Sequence, residues 1–279
     1  MHFFQETGIM KTIMSREKRF QYIYGPVYSW RLGMSLGIDP ISTPRKICNF
    51  DCVYCQLGRT ALPANTRREF VRVEDLIEEI RQVPFAGIDH YTFSGRGEPT
   101  LARNLGAMIR AVKTETGGAV AVITDSVLMS RPEVREDLRE ADVVLAKLDA
   151  CDQASLEAVD VPVPGIRFEE IVEGLKAFRR EYSGRLALQM MFVEANAPLA
   201  ADLAVLAASL SPDEIQLNTP LRPGGQPPLS ERGMRRIKRC FKGLPAVTVY
   251  EMEKRTVQPF DEQDTIRRHG NFKKNAASS

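Results

Sequence analysis

No stretch of this 279-residue chain approaches the roughly 18 uninterrupted apolar residues that a membrane helix needs, which argues against a membrane partner. The opening Met1, His2, Phe3, Phe4, Gln5, Glu6 lacks the basic-then-apolar pattern of a secretion signal, so the expectation is a cytoplasmic protein. Neither sign of charge dominates. With 38 Lys and Arg against 36 Asp and Glu, the formal net charge is +2, which excludes a polybasic nucleic-acid tail and an acidic disordered chain. Repeats and low-complexity tracts are absent. Cysteine is scarce and unpaired in number, at 5 in a chain too long to depend on disulfide staples. What is present is ordinary globular material, 43% hydrophobic and 27% charged, enough for a real core in one large domain or two small ones.

The hydrophobic pattern alternates between strand and helix periods. The expected elements are a strand near 34–38, a helix 73–83 with Val73, Leu76, Ile77, Ile80 and Val83 on one face, a strand 88–94, a helix 101–115 and a strand 119–124. Ser130 with Glu133 reads as a capping box opening a helix to about Arg139. Strands 143–149, 186–193, 214–219 and 246–250 then alternate with helices 166–182, 199–210 and 230–242. Such alternation predicts an α/β fold with a parallel sheet, and about six βα units fall short of the eight of a closed barrel. Residues 1–19 read as an N-terminal tail, 20–250 as the folded unit, and 251–279 as a C-terminal extension and tail, patternless beyond about Thr265. Pro223, Gly224, Gly225, Pro227 and Pro228 form a loop, since the alternation resumes after them.

Three of the cysteines crowd into Cys48-Asn49-Phe50-Asp51-Cys52-Val53-Tyr54-Cys55, a C-x3-C-x2-C spacing. Three thiolates on one short loop can hold three corners of an iron-sulfur cluster and leave one iron open for another ligand. A zinc knuckle is the alternative, and it requires a fourth Cys or His at short spacing; the nearest histidine downstream is His90.

With Tyr54 just before its third cysteine, this motif resembles the signature of the radical S-adenosylmethionine superfamily. The resemblance implies a partial (βα)6 barrel, a 4Fe-4S cluster on Cys48, Cys52 and Cys55, and S-adenosylmethionine chelated at the open iron. It also implies reductive cleavage to a 5'-deoxyadenosyl radical that abstracts hydrogen, a reductant such as flavodoxin or ferredoxin, and Tyr54 packed near the adenine. Ser94-Gly95-Arg96-Gly97-Glu98-Pro99-Thr100 resembles the family's glycine, glutamate, proline segment, which grips the amino group of S-adenosylmethionine: glycines allow close backbone approach, and Glu98 can accept from an ammonium. As a dinucleotide fingerprint the same stretch lacks its third glycine, replaced by Thr100. Thr124-Asp125-Ser126 stands where many relatives carry Thr-Asn-Gly, and Lys147-Leu148-Asp149-Ala150 resembles Ser-Leu-Asp-Ala, with Lys147 and Asp149 on one face of a strand.

Gly25-Pro26-Val27, Arg31-Leu32-Gly33, Ser35-Leu36-Gly37 and the run from Gln216-Leu217-Asn218 to Pro223 resemble, over about residues 25–225, the iron-sulfur oxidoreductases grouped with wyosine synthases. True wyosine synthases carry a second cluster on upstream cysteines, and no cysteine precedes Cys48 here. The substrate stays open among a tRNA nucleoside, a peptide and a small metabolite.

Cofactor-binding candidates are Tyr54, Gly95, Gly97, Glu98, Thr124, Asp149, Gln189 and Asn218; Gln216 belongs with the inward amides. Lys147 is a catalytic candidate, as a Schiff-base former, a carboxylate binder or merely the partner of Asp149. Cys151, at the mouth of the expected barrel, is a second catalytic candidate, whereas Cys240 reads as a small buried hydrophobe beside Met234, Ile237 and Phe241. Arg16, Lys18 and Arg19 and the group Arg235, Arg236, Lys238 and Arg239 suit RNA phosphates or a solvated face, and Arg222 an anion or solvent.

Overall fold

Valine, isoleucine, leucine and alanine fill runs such as Ala119–Thr124 and Val143–Lys147 almost without polar interruption, the composition of strands buried on both faces. The computed structural model describes residues 20–83, 87–252, 255 and 257–270. In chain order the elements are β1 (Ile23–Ser29), β2 (Gly33–Ile38), β3 (Ile47–Cys48), β4 (Leu62–Pro63), α1 (Val73–Ile80), β5 (His90–Phe93), α2 (Leu105–Thr116) and β6 (Ala119–Thr124). There follow α3 (Pro132–Leu138), β7 (Val143–Lys147), α4 (Gln153–Val159), α5 (Phe168–Glu181), β8 (Arg185–Met191), α6 (Ala200–Ser209), β9 (Glu214–Asn218), α7 (Glu231–Cys240), β10 (Ala246–Thr248) and α8 (Glu262–His269).

Eight strands form one sheet in the order β1-β2-β5-β6-β7-β8-β9-β10, all parallel except the β1/β2 pair. The terminal strands β1 and β10 do not pair with each other, so the barrel is open. From β2 to α7 the chain makes the six βα units that the sequence pattern predicts, and β10 adds a further parallel strand. The helices cover the outer face: Ile171, Leu175 and Phe178 of α5 and Met108, Ile109 and Val112 of α2 are all at most 3% exposed. Each such burial stabilises by about 1.5–3 kcal/mol. No helix among the described residues is long and apolar enough to cross a membrane.

Four expectations are corrected. First, β1 is absent from the sequence reading because Gly25-Pro26 interrupts it. The register shifts between Tyr24 and Val27, and an edge strand is where a proline is tolerated. Second, residues near 265 are ordered as α8, which covers the outer edge of β1. Phe260 N donates to Gly25 O (2.7 Å), Gly25 N to Thr265 Oγ1 (3.1 Å), and Arg268 Nη1 to Ile23 O (3.2 Å). An otherwise exposed sheet edge is thereby satisfied.

Third, Ser130 caps nothing. It ends a 3-10 turn, and α3 starts behind Arg131 with Pro132 at its first position, where a missing N–H costs little. The capping box lies instead at Asp152 and Ser155, opening α4, a helix the hydrophobic pattern did not reveal. Fourth, Cys240 is exposed: the buried stripe of α7 is Met234 and Ile237, continued by Phe241, and Cys240 falls off it. Residues 1–19 and 271–279, including Arg16, Lys18 and Arg19, lie outside the described residues.

Candidate active site and metal centre

Parallel pairing sends the carboxyl ends of β2 and β5 to β9 to one rim, where the chain after each strand emerges. The cysteine loop is pinned there from three directions. Ile47 of β3 bridges to Gly97, with Glu98 N donating to Ile47 O (3.1 Å) and Ile47 N to Arg96 O (3.2 Å). Beyond it, Asp51 N donates to Asp160 O and Val53 N to Val159 O, both at 3.0 Å, tying the loop to the end of α4. From a third side the glycine-rich loop after β9 closes over it. A Cβ at Gly97 would stand 1.9 Å from Ile47 O and one at Gly225 2.1 Å from Val53 O, so both close approaches need glycine.

Glu98 is 2% exposed and already engaged by four donors: Thr100 N (2.9 Å), Thr100 Oγ1 (2.6 Å), Thr124 Oγ1 (2.7 Å) and Asp125 N (2.7 Å). Its carboxylate therefore locks the segment after β5 to the end of β6. Burial raises its pKa while these donors pull it down. Ser126 occupies a left-handed conformation (φ 73°), the region a glycine favours, and its hydroxyl donates to Lys147 O (2.9 Å).

Lys147, at the end of β7, is the centre of the charge network. Its ammonium lies 2.9 Å from Cys52 Sγ, pairs with Asp160 and, at 3.4 Å, with Asp149, and sits 4.7 Å over the Phe50 ring and 5.2 Å over that of Tyr54. Burial alone would lower its pKa, but Asp160 first, then Cys52, Tyr54 and Asp149, hold it well above the ordinary lysine value. A Schiff base needs the free amine; here the side chain is a fixed cation, paired with Asp160 as well as with the expected Asp149.

Lys46, 6% exposed, donates to Cys55 Sγ and Gly58 O, both at 3.1 Å. Cys48 instead faces the Asp125 carboxylate at 3.8 Å. Burial, then Asp125, pushes the Cys48 thiol well up. Burial likewise pushes Cys52 to about 12, with Lys147 pulling it down and Asp160 up. Any metal taken up by these thiols must displace protons.

Tyr54 donates its hydroxyl to Asp149, which also accepts from Met191 N (2.7 Å), so the cysteine loop, β7 and β8 meet at one carboxyl group. Burial lifts that carboxyl to about 7 against the pull of Lys147, with Asp160 adding to the rise. Lys147, Gln189 and Gln216 stand in register on β7, β8 and β9, forming a polar row across the sheet. Gln216 Nε2 donates to Glu214 Oε1 (2.7 Å), but its Oε1, like Nδ2 of Asn218, is buried with no partner among the described residues.

Other candidates stand apart from the network. Cys151 is half-buried beside Ser155 (4.0 Å), and burial raises its pKa, the reverse of an activated thiol. Arg222 is not a solvated loop residue: it donates to Gln56 Oε1 (3.1 Å) and His269 O (2.8 Å), and burial, then Arg31, lowers its pKa to about 10. The basic face of α7 is partly neutralised, Arg235 by Glu231 and Lys238 by Glu251, each at 2.7 Å. His90 starts β5, at the opposite end of the strands from the thiols, where its Nδ1 donates to Leu32 O (2.7 Å). Among the described residues no three His, Cys, Asp or Glu side chains converge on one metal ion.

Sequence reasoning missed Lys46 and Asp160. The first is signalled only by a cation two residues before Cys48; the second lies at the end of α4, which itself went unread.

A family model described as the Radical SAM superfamily matches residues 43–194. A UPF0026 protein of Synechocystis sp. is 39% identical over 205 residues, 73% of this chain and 77% of that protein. Another, of Methanocaldococcus jannaschii, is 37% identical over 207 residues, 72% of this chain and 64% of the relative. Among solved structures, Streptococcus suis SuiB bound to S-adenosylmethionine superimposes with a TM-score of 0.57 at 15% identity. That match covers 74% of this chain and 48% of SuiB, so the chain spans about half the length of that neighbour, and the likeness is one of fold.

Proposed function

The chain belongs to the radical S-adenosylmethionine superfamily and, within it, to the UPF0026 proteins, and from that premise we propose that it is a radical enzyme whose cluster is held by Cys48, Cys52 and Cys55. When bound, a 4Fe-4S cluster with S-adenosylmethionine would supply an electron that cleaves the sulfonium and releases a 5'-deoxyadenosyl radical for hydrogen abstraction. The observation that carries the reading is the meeting, on one rim, of three cysteines on a backbone-pinned loop with the Gly95–Glu98 and Thr124–Asp125 segments. The donor set fits such a cluster. A cubane gives each thiolate its own iron, so the three sulfurs need not converge on one ion, whereas zinc would need them to, with a fourth ligand.

In this reading the residues of the chain bind and orient. The segment Gly95–Glu98 would hold the methionine end of the cofactor: Gly95 and Gly97 let it lie hard against Asp39 and Ile47 O, and Glu98 with Thr124 fixes it in place. Tyr54 lines the adenine side, its hydroxyl held by Asp149. Gln189 and Asn218 offer amides from the far strands, and the unpartnered Nδ2 of Asn218 is a donor with capacity to spare. The open barrel shields the reacting centre from water. A small-molecule reductant or a flavodoxin- or ferredoxin-class protein supplies the electron. For the substrate, the motif resemblance to wyosine synthases favours a tRNA nucleoside. Binding of bulk tRNA should then weaken at least tenfold between about 50 and 200 mM salt, and flat, weak binding would favour a peptide or small metabolite.

The decisive experiment is anaerobic reconstitution with iron and sulfide, followed by reduction in the presence of S-adenosylmethionine. Cluster absorbance, a paramagnetic signal and 5'-deoxyadenosine release are expected, with release lost in Cys52→Ala. A protein that binds stoichiometric zinc and never assembles a cluster sinks the proposal.

A further inference from the structure

Two of the three thiols meet a buried lysine, and the third meets a carboxylate. Lys147 Nζ is 2.9 Å from Cys52 Sγ and Lys46 Nζ is 3.1 Å from Cys55 Sγ, while Cys48 Sγ has Asp125 at 3.8 Å. Neither ammonium is free to wander. Lys46 is 6% exposed and also donates to Gly58 O (3.1 Å), and Lys147 is clamped by Asp160 and stacked over Phe50 (4.7 Å). The two lysines come from separate parts of the fold, one from the residue just before β3 and one from the end of β7, and each meets a sulfur of the same loop.

Iron-sulfur potentials are set by net charge, hydrogen bonds to the sulfurs and solvent exposure. Reduction adds one negative charge to a cluster, and an N–H donor or cation at a ligating sulfur stabilises the reduced form more than the oxidised one. The effect is large where water is excluded. On the reading that these thiols hold the cluster, we infer that Lys46 and Lys147 are positioning residues for its electron chemistry, an internal cation pair that raises the cluster's reduction potential. Asp160 opposes Lys147 and so moderates it.

The test is a reductive titration of the reconstituted protein, poised with dithionite and mediators and read by the paramagnetic signal of the reduced cluster, with iron and sulfide counted in every variant. Lys46→Met is the first arm, because among the described residues no carboxylate lies within ion-pair reach of Lys46 to be left behind by it. At full iron content, its ratio of reduced to oxidised cluster at a fixed poise should fall about tenfold, which for a one-electron couple is about 59 mV. Lys147→Met combined with Asp160→Asn removes the acid bonded to the lysine and leaves Asp149 to Tyr54 and Met191 N; it should shift the same way but by less, because the lost acid offsets part of the lost cation. Asp160→Asn alone should shift the other way, and Lys46→Arg, which keeps charge and donor, should recover most of the native midpoint. Variants that carry full iron at an unchanged midpoint overturn the inference, because a role confined to holding the loop would leave the potential where it was. Native protein that never takes up iron and sulfide overturns the cluster reading beneath it, and the iron count separates the two failures.

Discussion

The two sides of the rim are built differently. On the side of β5, β6 and β7, the polar groups nearest the cysteine loop are committed: Glu98 has four donors, Asp149 holds Tyr54 and Met191 N, and Lys147 is clamped by Asp160. Across the sheet, on β9, Gln216 Oε1 and Asn218 Nδ2 are buried without a partner among the described residues. A buried polar atom left unpaired costs about 1–3 kcal/mol, so the first side has its geometry completed by the fold, while the second keeps capacity for a ligand.

That contrast can be broken by substitution. The largest loss is expected from Gly97→Ala, whose methyl would collide with Ile47 O at 1.9 Å. Forcing the two segments apart should cost about 3 kcal/mol in chemical denaturation and reduce cluster loading. Unchanged stability would mean that the committed side is softer than its contacts indicate.

An intermediate effect is expected from Asp149→Asn. The folded protein keeps the Asp149 proton up to about pH 7, whereas an unfolded aspartate releases it near pH 4. Across that window the unfolded chain binds fewer protons than the folded one, so native stability falls as pH rises. The Asn variant lacks this loss. Its stability relative to native should improve by about 2 kcal/mol between pH 4 and 7, as read from denaturation midpoints at several pH values. A difference independent of pH would show that the carboxyl is ionised throughout.

The smallest stability effect belongs to Asn218→Ala. Removing a donor that bonds nothing among the described residues should leave stability within about 1 kcal/mol while weakening S-adenosylmethionine or substrate binding about tenfold. Calorimetry on the reconstituted protein measures the second. A variant that unfolds readily yet binds normally would erase the distinction between the two sides.

Legibility in the sequence followed the range of the interaction. The six βα units were readable because each strand and helix writes its own apolar period, and the cysteine spacing was readable because it is local. The strand over Ile23–Ser29 was hidden by Gly25-Pro26, whose local meaning is a break and which only pairing with its neighbour makes tolerable. The helix over Glu262–His269 has little apolar periodicity because it is held mainly by Thr265 and Arg268 reaching backbone atoms some 240 residues away in sequence. Glu98 was picked out as a ligand for an ammonium; the fold spends its oxygens on Thr100, Thr124 and Asp125.

By itself, then, the sequence determined the alternating parallel architecture, the three thiols on one loop and the family they belong to, because periodicity and spacing are properties of neighbouring residues. Which charge faces which sulfur was decided only by the tertiary structure. Lys147 reaches Cys52 across 95 residues and is clamped by Asp160 from a helix the pattern did not show. No local rule encodes that meeting; it arises when parallel strands bring their carboxyl ends to a common rim.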